Sequence, residues 1–193
     1  MKKRFFVLGI AVIVLSAVII TVITFINNNK EDTSPVSGIS ASVNQTGRPD
    51  MVPVYLYFAN GDKDGLAAEI RYIPIEEAAR STANLATVIL NELIKGPSSS
   101  SELVAVIPQD SKILNSVEVI NDQAVVNFNA SFVENHPGGK TNEQLTIFSI
   151  VNTLTELKDI NSVVFKVEGE LREEYMGNYK FDNPFPRTAA LIK

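Results

Sequence analysis

An uncharged run of 22 residues, from Phe5 to Ile26, constrains this chain more than any other feature of its sequence. As an α-helix it would be about 33 Å long, enough to cross a hydrocarbon core of roughly 30 Å. A cleavable signal peptide has an apolar stretch of about 7–15 residues followed by a small-residue cleavage site, and neither is present. A helix buried in a globular core would carry a polar face, which this run lacks. We therefore predict one uncleaved transmembrane helix over residues 5–26.

The charges on either side of this run predict its orientation. Lys2, Lys3 and Arg4 precede it, whereas the nearest charges after it, at positions 30–32, are of both signs. Basic residues that flank a span stay on the cytoplasmic side. Residues 1–4 are therefore expected to form a cytoplasmic tail, with a single pass through the cell membrane and everything after residue 26 outside the cytoplasm.

Residues 27–50 differ in composition from residues 51–193. They are rich in Asn, Ser, Thr, Gly and Pro and show no hydrophobic periodicity, which is typical of a flexible linker. A linker of this length has a root-mean-square reach of roughly 25–30 Å. We therefore predict that one folded domain, residues 51–193, is held near the membrane without a fixed orientation.

Composition excludes several classes of function. The net charge of −5 hides a split, because the first 26 residues hold three basic residues and the other 14 basic and 22 acidic residues give −8. A domain this acidic lacks the positive surface that nucleic acid requires. The absence of cysteine excludes disulfides, thiolate catalysis, cysteine-ligated metals and lipidation through a cysteine.

The first half of the predicted domain contains two strands and a helix. Strand-forming residues predict β-strands at 52–58 and 67–73. An apolar stripe at helical spacing predicts a helix over residues 82–95, with Ser81 as its N-cap and Gly96-Pro97 as its stop. Whether residues 76–80 belong to this helix is left open by the pattern, and residues 98–110 are expected to form a loop.

The second half repeats the strand–helix–strand plan. Strands are predicted at 112–120 and 123–128, joined by a tight turn at Asn121-Asp122 because both residues tolerate a positive φ. Thr141 to Gln144 match a capping box, which predicts a helix from Thr141, as N-cap, to about Lys158. A last strand is predicted at 162–167, before an irregular tail.

The order ββαββαβ predicts the fold class. Two amphipathic helices would bury their stripes on one face of a mixed sheet of about five strands, giving an α/β (α+β) two-layer sandwich. Four aromatic residues lie in the tail and are expected to close the core, since unanchored chain ends fray. They are Tyr175, Tyr179, Phe181 and Phe185.

Three candidate sites lack the pattern that their chemistry requires. His136, the only histidine, lies in a turn rich in proline and glycine, so we interpret it as a loop residue and not as a positioned base. The glutamates of segment 168–174 lack the spacing of a calcium loop and indicate a hydrated acidic turn. Segment 138–141, GGKT, lacks the first glycine of a phosphate-binding loop. We therefore expect no catalytic residue, no cofactor and no metal ligand.

Several short segments, taken in order, resemble the GerMN domain of sporulation and spore germination proteins. They are VPVYLYF, a helix ending in LIKGP, AVIP before SKILNSVEV, QAVVNFNASF, a Gly-Gly turn, NEQLTIFSIVNTLTEL and SVVFKVEGE. The resemblance covers about residues 52–186 and is carried by the ordered set. The chain departs from the family pattern in having one such domain, where members can have two, and a predicted transmembrane helix in place of a lipid-carrying cysteine.

The resemblance implies a noncatalytic α/β module on the outer face of the membrane of Gram-positive and related bacteria, with related folds that build rings. We therefore expect a membrane-anchored, extracytoplasmic interaction module of a sporulation or germination envelope assembly. Its partners would be proteins or copies of itself, bound at edge strands. The alternative is a sensor or binding module for peptidoglycan or a small germinant ligand, which requires a deep pocket between sheet and helices.

Overall fold

The computed structural model describes residues 50–193, all of which belong to one compact unit. Residues 1–49, with the predicted cytoplasmic tail, transmembrane helix and nearly all of the linker, lie outside the described residues. Within residues 50–193, no helix is both long enough and apolar enough to cross a membrane. In chain order the elements are β1 (Met51–Ala59), β2 (Leu66–Pro74), α1 (Ile75–Ala78), α2 (Thr82–Ile94), β3 (Glu118–Ile120), β4 (Gln123–Phe128), α3 (Ser131–Glu134), α4 (Lys140–Leu154), β5 (Ser162–Val167), β6 (Glu170–Leu171), β7 (Phe185–Pro186) and a 3-10 turn, Ala189–Leu191.

β1 and β2 form an antiparallel hairpin with Tyr55 opposite Ile70. Each strand is one residue longer at each end than the sequence predicts. The turn is closed by Asn60, whose side-chain oxygen accepts the backbone N–H groups of Asp64 and Gly65. Successive side chains of a strand point to opposite faces, so one face of the hairpin enters the main core while the other does not.

The second sheet has five strands in the order β3-β4-β5-β6, with β7 also paired to β5. β4 and β5 are parallel and the other pairs are antiparallel. The predicted turn is confirmed, since Asn121 and Asp122 have φ of 49° and 60°. The strand predicted at 112–120 is formed only in part: residues 118–120 pair with β4 and Ile113 bridges Phe128, but between them the N–H of Val117 donates to the hydroxyl of Thr87 at 2.9 Å.

The prediction of a single sheet is wrong, because the hairpin is not hydrogen-bonded to the five-stranded sheet anywhere in the described part of the chain. Its outer edge on β1 is already occupied. The N–H of Tyr57 donates to the hydroxyl of Thr153 at 2.9 Å, and the hydroxyl of Ser149 donates to the carbonyl of Tyr57. Next along the edge, Ala59 pairs with Val104. Helix hydroxyls and a loop thus replace the neighbouring strand.

The two long helices begin differently. α2 begins as predicted, with the Ser81 hydroxyl accepting the N–H of Asn84 at 3.1 Å. The capping box predicted at Thr141 is wrong, because α4 begins at Lys140 with Gly139 as N-cap and no side-chain cap. Gly139 has a φ of +86°, which glycine adopts readily, so the N-cap lies two residues earlier than predicted. α4 also ends at Leu154, short of Lys158.

Helices and sheets meet in an α+β core. α4 contacts β1 and β5, α2 contacts β1 and β3, and the two helices pack against each other. Phe132 of α3 stacks on Phe128 with 4.0 Å between ring centroids and on Tyr175 with 4.9 Å. Tyr175 in turn stacks on Phe181, and both are almost completely buried. The predicted closure of the core by tail aromatics is therefore confirmed.

The last seven residues cross from the five-stranded sheet to the hairpin. Arg187 lies over the ring of Tyr57, 5.4 Å from its centroid, and pairs with Glu156. Further on, Ile192 forms a parallel bridge with Leu66 of β2. The N–H of Lys193 then donates to the carbonyl of Leu66 at 2.9 Å, which fixes the tail along the start of β2.

Candidate functional site

The outer face of the hairpin is apolar and half of it is uncovered. Tyr57 and Leu66, near the turn, are buried under the C-terminal tail. The other half, which we call the hairpin face, consists of Met51, Pro53, Tyr55, Ala68, Ile70 and Tyr72, all exposed. Its four large side chains are 44–61% exposed. With side chains of about 200 Å² each, this leaves roughly 400 Å² of apolar surface, within the range of the largest patches on monomers.

The opposite side of β2 carries a charged network. The guanidinium of Arg71 lies 2.5 Å from Glu69 and 3.3 Å from Glu92, and Lys95 also pairs with Glu92. Burial alone would raise the pKa of Glu69, but hydrogen bonds from Arg71 and Ser98 hold that pKa below its usual value. The charged side chains are thus held against α2, and the apolar side chains of β2 face solvent.

Two grooves adjoin these elements. One, of about 330 Å³, lies between the end of β2 and α2, shares Tyr72 with the hairpin face and has Glu77 and Glu92 at its wall. The other, of about 210 Å³, lies beside residues 105–109 and Thr146. Ligand pockets usually measure roughly 300–1,000 Å³. The first groove is at the lower end of this range and the second is below it.

His136 lies in the predicted loop but is only 7% exposed, so its interpretation as an ordinary loop residue is incomplete. The N–H of Gly138 donates to its Nδ1 at 2.9 Å, and its Nε2 lies 3.2 Å from the Thr146 hydroxyl. That hydroxyl donates to the carbonyl of Val106, so Nε2 carries the proton and the ring is neutral. The histidine therefore connects a loop to α4.

The pH dependence of stability follows from this bonding. Burial lowers the pKa of His136 below its ordinary 6.5, although Glu143 acts in the other direction. The unfolded chain then binds the proton first, so we expect the free energy of unfolding to be constant above about pH 7 and to fall as the pH drops below 6.5. Urea titrations of the full chain between about pH 7.5 and pH 5 measure this slope.

The matched control is His136→Gln, which lacks the titrating ring. Carboxylates whose pKa is lowered, such as Glu69 and Glu92, lose their contribution only nearer to their ordinary 4.5. The window between about pH 5 and 6.5 therefore reports on the single imidazole. An equal slope in the variant and the parent would contradict the prediction.

Glu143, in the first turn of α4, is a buried carboxylate that no motif in the sequence indicates. It accepts the backbone N–H of Asn178 at 3.1 Å and the side-chain amide of the same residue. The helix N-terminus also favours a negative charge. Its role is structural, because these bonds hold the loop that brings Tyr175 into the core.

The other predicted candidates do not come together. Glu168 accepts the N–H of Ala130, the residue before α3, at 2.7 Å, and the glutamates at 170, 173 and 174 are exposed. Among residues 50–193, no three His, Asp or Glu side chains are grouped as metal ligands. Segment 138–141 forms the start of α4 and the turn before it. The candidate site of this chain is therefore a surface, the hairpin face with its adjoining groove.

Fold and surface define a small α+β domain in which half of one apolar face of a strand pair is exposed. Within the described residues, that surface is the feature best suited to binding. The sequence model of the family described as "Germane: Sporulation and spore germination" matches residues 55–173, and the chain belongs to this GerMN family. The family resemblance seen in the sequence is thus confirmed.

Known relatives agree with this assignment. The chain is 30% identical over 145 residues to the spore germination protein GerM of Bacillus subtilis, covering 72% of this chain and 38% of GerM. It thus spans about two fifths of the length of that relative. The tandem GerMN domains of B. subtilis GerM share its fold, with a TM-score of 0.60, 24% identity and coverage of 78% and 51% of the two chains. The first GerMN domain of B. subtilis GerM alone has a TM-score of 0.52 and 19% identity, and the match covers 72% of this chain and 98% of that domain.

Proposed function

We propose that this chain is a noncatalytic, membrane-anchored, extracytoplasmic interaction module of a sporulation or germination envelope assembly. The observation that carries the proposal is the hairpin face, a contiguous apolar surface on strands that nothing covers within residues 50–193. Exposed apolar patches of this size commonly mark protein interaction sites. Family membership supports the sporulation or germination context, and the predicted helix at residues 5–26 supports the membrane anchor.

The size of the face sets the strength of the contact. Roughly 400 Å² at about 25 cal/mol per Å² gives ~10 kcal/mol, which is similar to the ~4–15 kcal/mol cost of association. A partner bound by this face alone would therefore bind weakly in solution. Confinement to one membrane raises the effective concentration of two partners and strengthens such a contact. The predicted membrane anchor would therefore compensate for the small area of the hairpin face.

Charging the face tests the proposal. We expect the double variant Tyr55→Lys/Tyr72→Lys to reduce the cross-linked protein complexes of the full chain by about tenfold in growing or sporulating cells, because lysine resists burial. The matched control is Ile120→Lys/Leu171→Lys, at two positions of similar exposure on the other sheet. Equal cross-linking of both variants and the parent would count against the hairpin face.

The alternative function is recognition of peptidoglycan or a small germinant. The grooves support it less well, because one is at the lower end of the usual size range and the other is below it. Sedimentation of the full chain with purified cell walls distinguishes this alternative from a protein partner. Binding that depends on Asn91 in the larger groove, and not on Tyr55, would favour it.

A further inference from the structure

One edge of the hairpin is open. At the two ends of the hairpin, the N–H of Asn60 donates to the carbonyl of Gly65 and the N–H of Ile75 donates to the carbonyl of Asp50. These two bonds show which of the opposed residues in β1 and β2 bond to each other and which do not. In an antiparallel ladder these pairs alternate, so the backbone groups of Ala68, Ile70 and Tyr72 point away from β1. Within residues 50–193 those outward groups have no hydrogen-bond partner in the protein. The side chains of the same three residues belong to the hairpin face.

The two edges of the hairpin differ in their protection. On β1, Tyr57 and Ala59 are already bonded, and Pro53 has no N–H to offer. On β2, the tail covers the edge only at Leu66. Between Ala68 and Tyr72, no outward residue is charged and none is proline, although such residues are the usual protection of an edge strand. Only the β2 edge is built to accept another strand.

We propose that this edge pairs with the same edge of a second copy of the chain, antiparallel, with Ile70 opposite Ile70 of the partner subunit. The inference rests on the proposed function and names a partner for the edge of the hairpin, while the hairpin face stays exposed. Ala68 then lies opposite Tyr72 of the partner subunit, a small residue against a large one. The three outward residues of each copy make about six ladder hydrogen bonds. The two hairpins become one four-stranded sheet, and their exposed faces become one continuous surface.

Charge selects this register over its neighbours. A two-fold axis through position 69 would put Glu69 opposite Glu69 of the partner subunit, and an axis through position 71 would put two arginines opposite each other. Like charges directly opposite are unfavourable. An axis at Ile70 puts Glu69 opposite Arg71 of the partner subunit. Because both residues already form an ion pair at 2.5 Å within one copy, the dimer extends that pair into a row of alternating charges.

A single cysteine tests the register, since the chain has no cysteine of its own. In the proposed dimer the Cα atoms of position 70 are about 5.5 Å apart, inside the usual disulfide range of roughly 4.4–6.8 Å. We expect full-length Ile70→Cys, oxidised in membranes, to give about tenfold more disulfide-linked dimer than Ile120→Cys. Ile120 is the matched control, because it is 52% exposed and lies on β3.

A second pair of variants tests the same register without a substitution at position 70, in case Ile70→Cys disturbs the strand. Ala68→Cys and Tyr72→Cys chains are opposite in the same register, so mixing them should give a disulfide-linked heterodimer. Dimer yields for Ile70→Cys and for this mixture that do not exceed the Ile120→Cys yield would overturn the proposal. If Ile70→Cys stays monomeric but reacts slowly with maleimide, something other than a second copy covers the β2 edge. That result would also overturn the proposal.

The outcome is separable from that of the proposed function. If Ile70→Cys fails to cross-link but Tyr55→Lys/Tyr72→Lys still removes complexes with other proteins, the interaction role stands and pairing with a second copy is wrong. If neither experiment detects association through the hairpin, both are wrong. Circular dichroism of each variant confirms that its secondary structure matches that of the parent.

Discussion

Phe132→Ala is expected to lower the free energy of unfolding by about 3–5 kcal/mol. The ring is completely buried and stacks on Phe128 at 4.0 Å, on Tyr175 at 4.9 Å and on Phe165 at 6.2 Å. It therefore holds α3 against β4, β5 and the C-terminal segment at once. Its removal leaves a cavity walled by rigid rings, which cannot collapse to fill it.

Urea unfolding of the full chain, followed by circular dichroism, measures the loss. Leu171→Ala is the control, because Leu171 is also a large apolar residue but is 59% exposed, and its removal should change stability by less than about 0.5 kcal/mol. The slope of the free energy of unfolding against urea concentration should be the same in both variants. A Phe132→Ala value within about 1 kcal/mol of the Leu171→Ala value would contradict the described core.

Thr146→Val is expected to cost about 2–4 kcal/mol, although the side chain keeps its shape. The hydroxyl is buried, donates to the carbonyl of Val106 at 2.7 Å and accepts from Nε2 of His136. Without it, the buried Nε2–H of His136 and the half-buried carbonyl of Val106 lose their partner together. Each such group costs about 1–3 kcal/mol, more than the bond itself contributes.

Thr141→Val is the matched control for that prediction. Thr141 is exposed in the first turn of the same helix, and Gly139 and not Thr141 is the N-cap. We therefore expect a change of less than about 0.5 kcal/mol, whereas a true N-cap threonine would cost about 1 kcal/mol. A large loss of stability in Thr141→Val together with a small loss in Thr146→Val would contradict the prediction. It would mean that the Thr141 hydroxyl, and not that of Thr146, makes the stabilising hydrogen bonds.

Local signals in the sequence are sufficient where the interaction itself is local. Ser81 caps α2 through a bond to a residue three positions away, and Asn121-Asp122 turn the chain within two residues. Both are determined by side chains that act on their own backbone. The strand at 162–167 also has the bounds that the sequence predicts, because alternation is visible within six residues.

Features set by distant contacts cannot be predicted in this way. Tyr55 and Tyr57 share one face of β1 and look equivalent in sequence, yet only Tyr57 is covered, by Arg187 from the tail. Sequence patterns do not reveal the hairpin face for that reason. The loop around His136 is predictable, but the burial of its ring depends on Thr146 and Tyr175 from other elements. The separation of the hairpin from the larger sheet likewise depends on Thr153, 96 residues from the amide that it binds.

The parallel bridge between Ile192 and Leu66 has a practical consequence for protein engineering. The tail runs in the same direction as β2, and Lys193 is bonded at the point where the open edge begins. Residues joined directly after Lys193, such as those of an affinity tag, would be directed along Ala68 and Ile70 and would compete for the same backbone groups. Such a tag would act as a tethered competitor, so reagents for studying self-association should carry their label elsewhere.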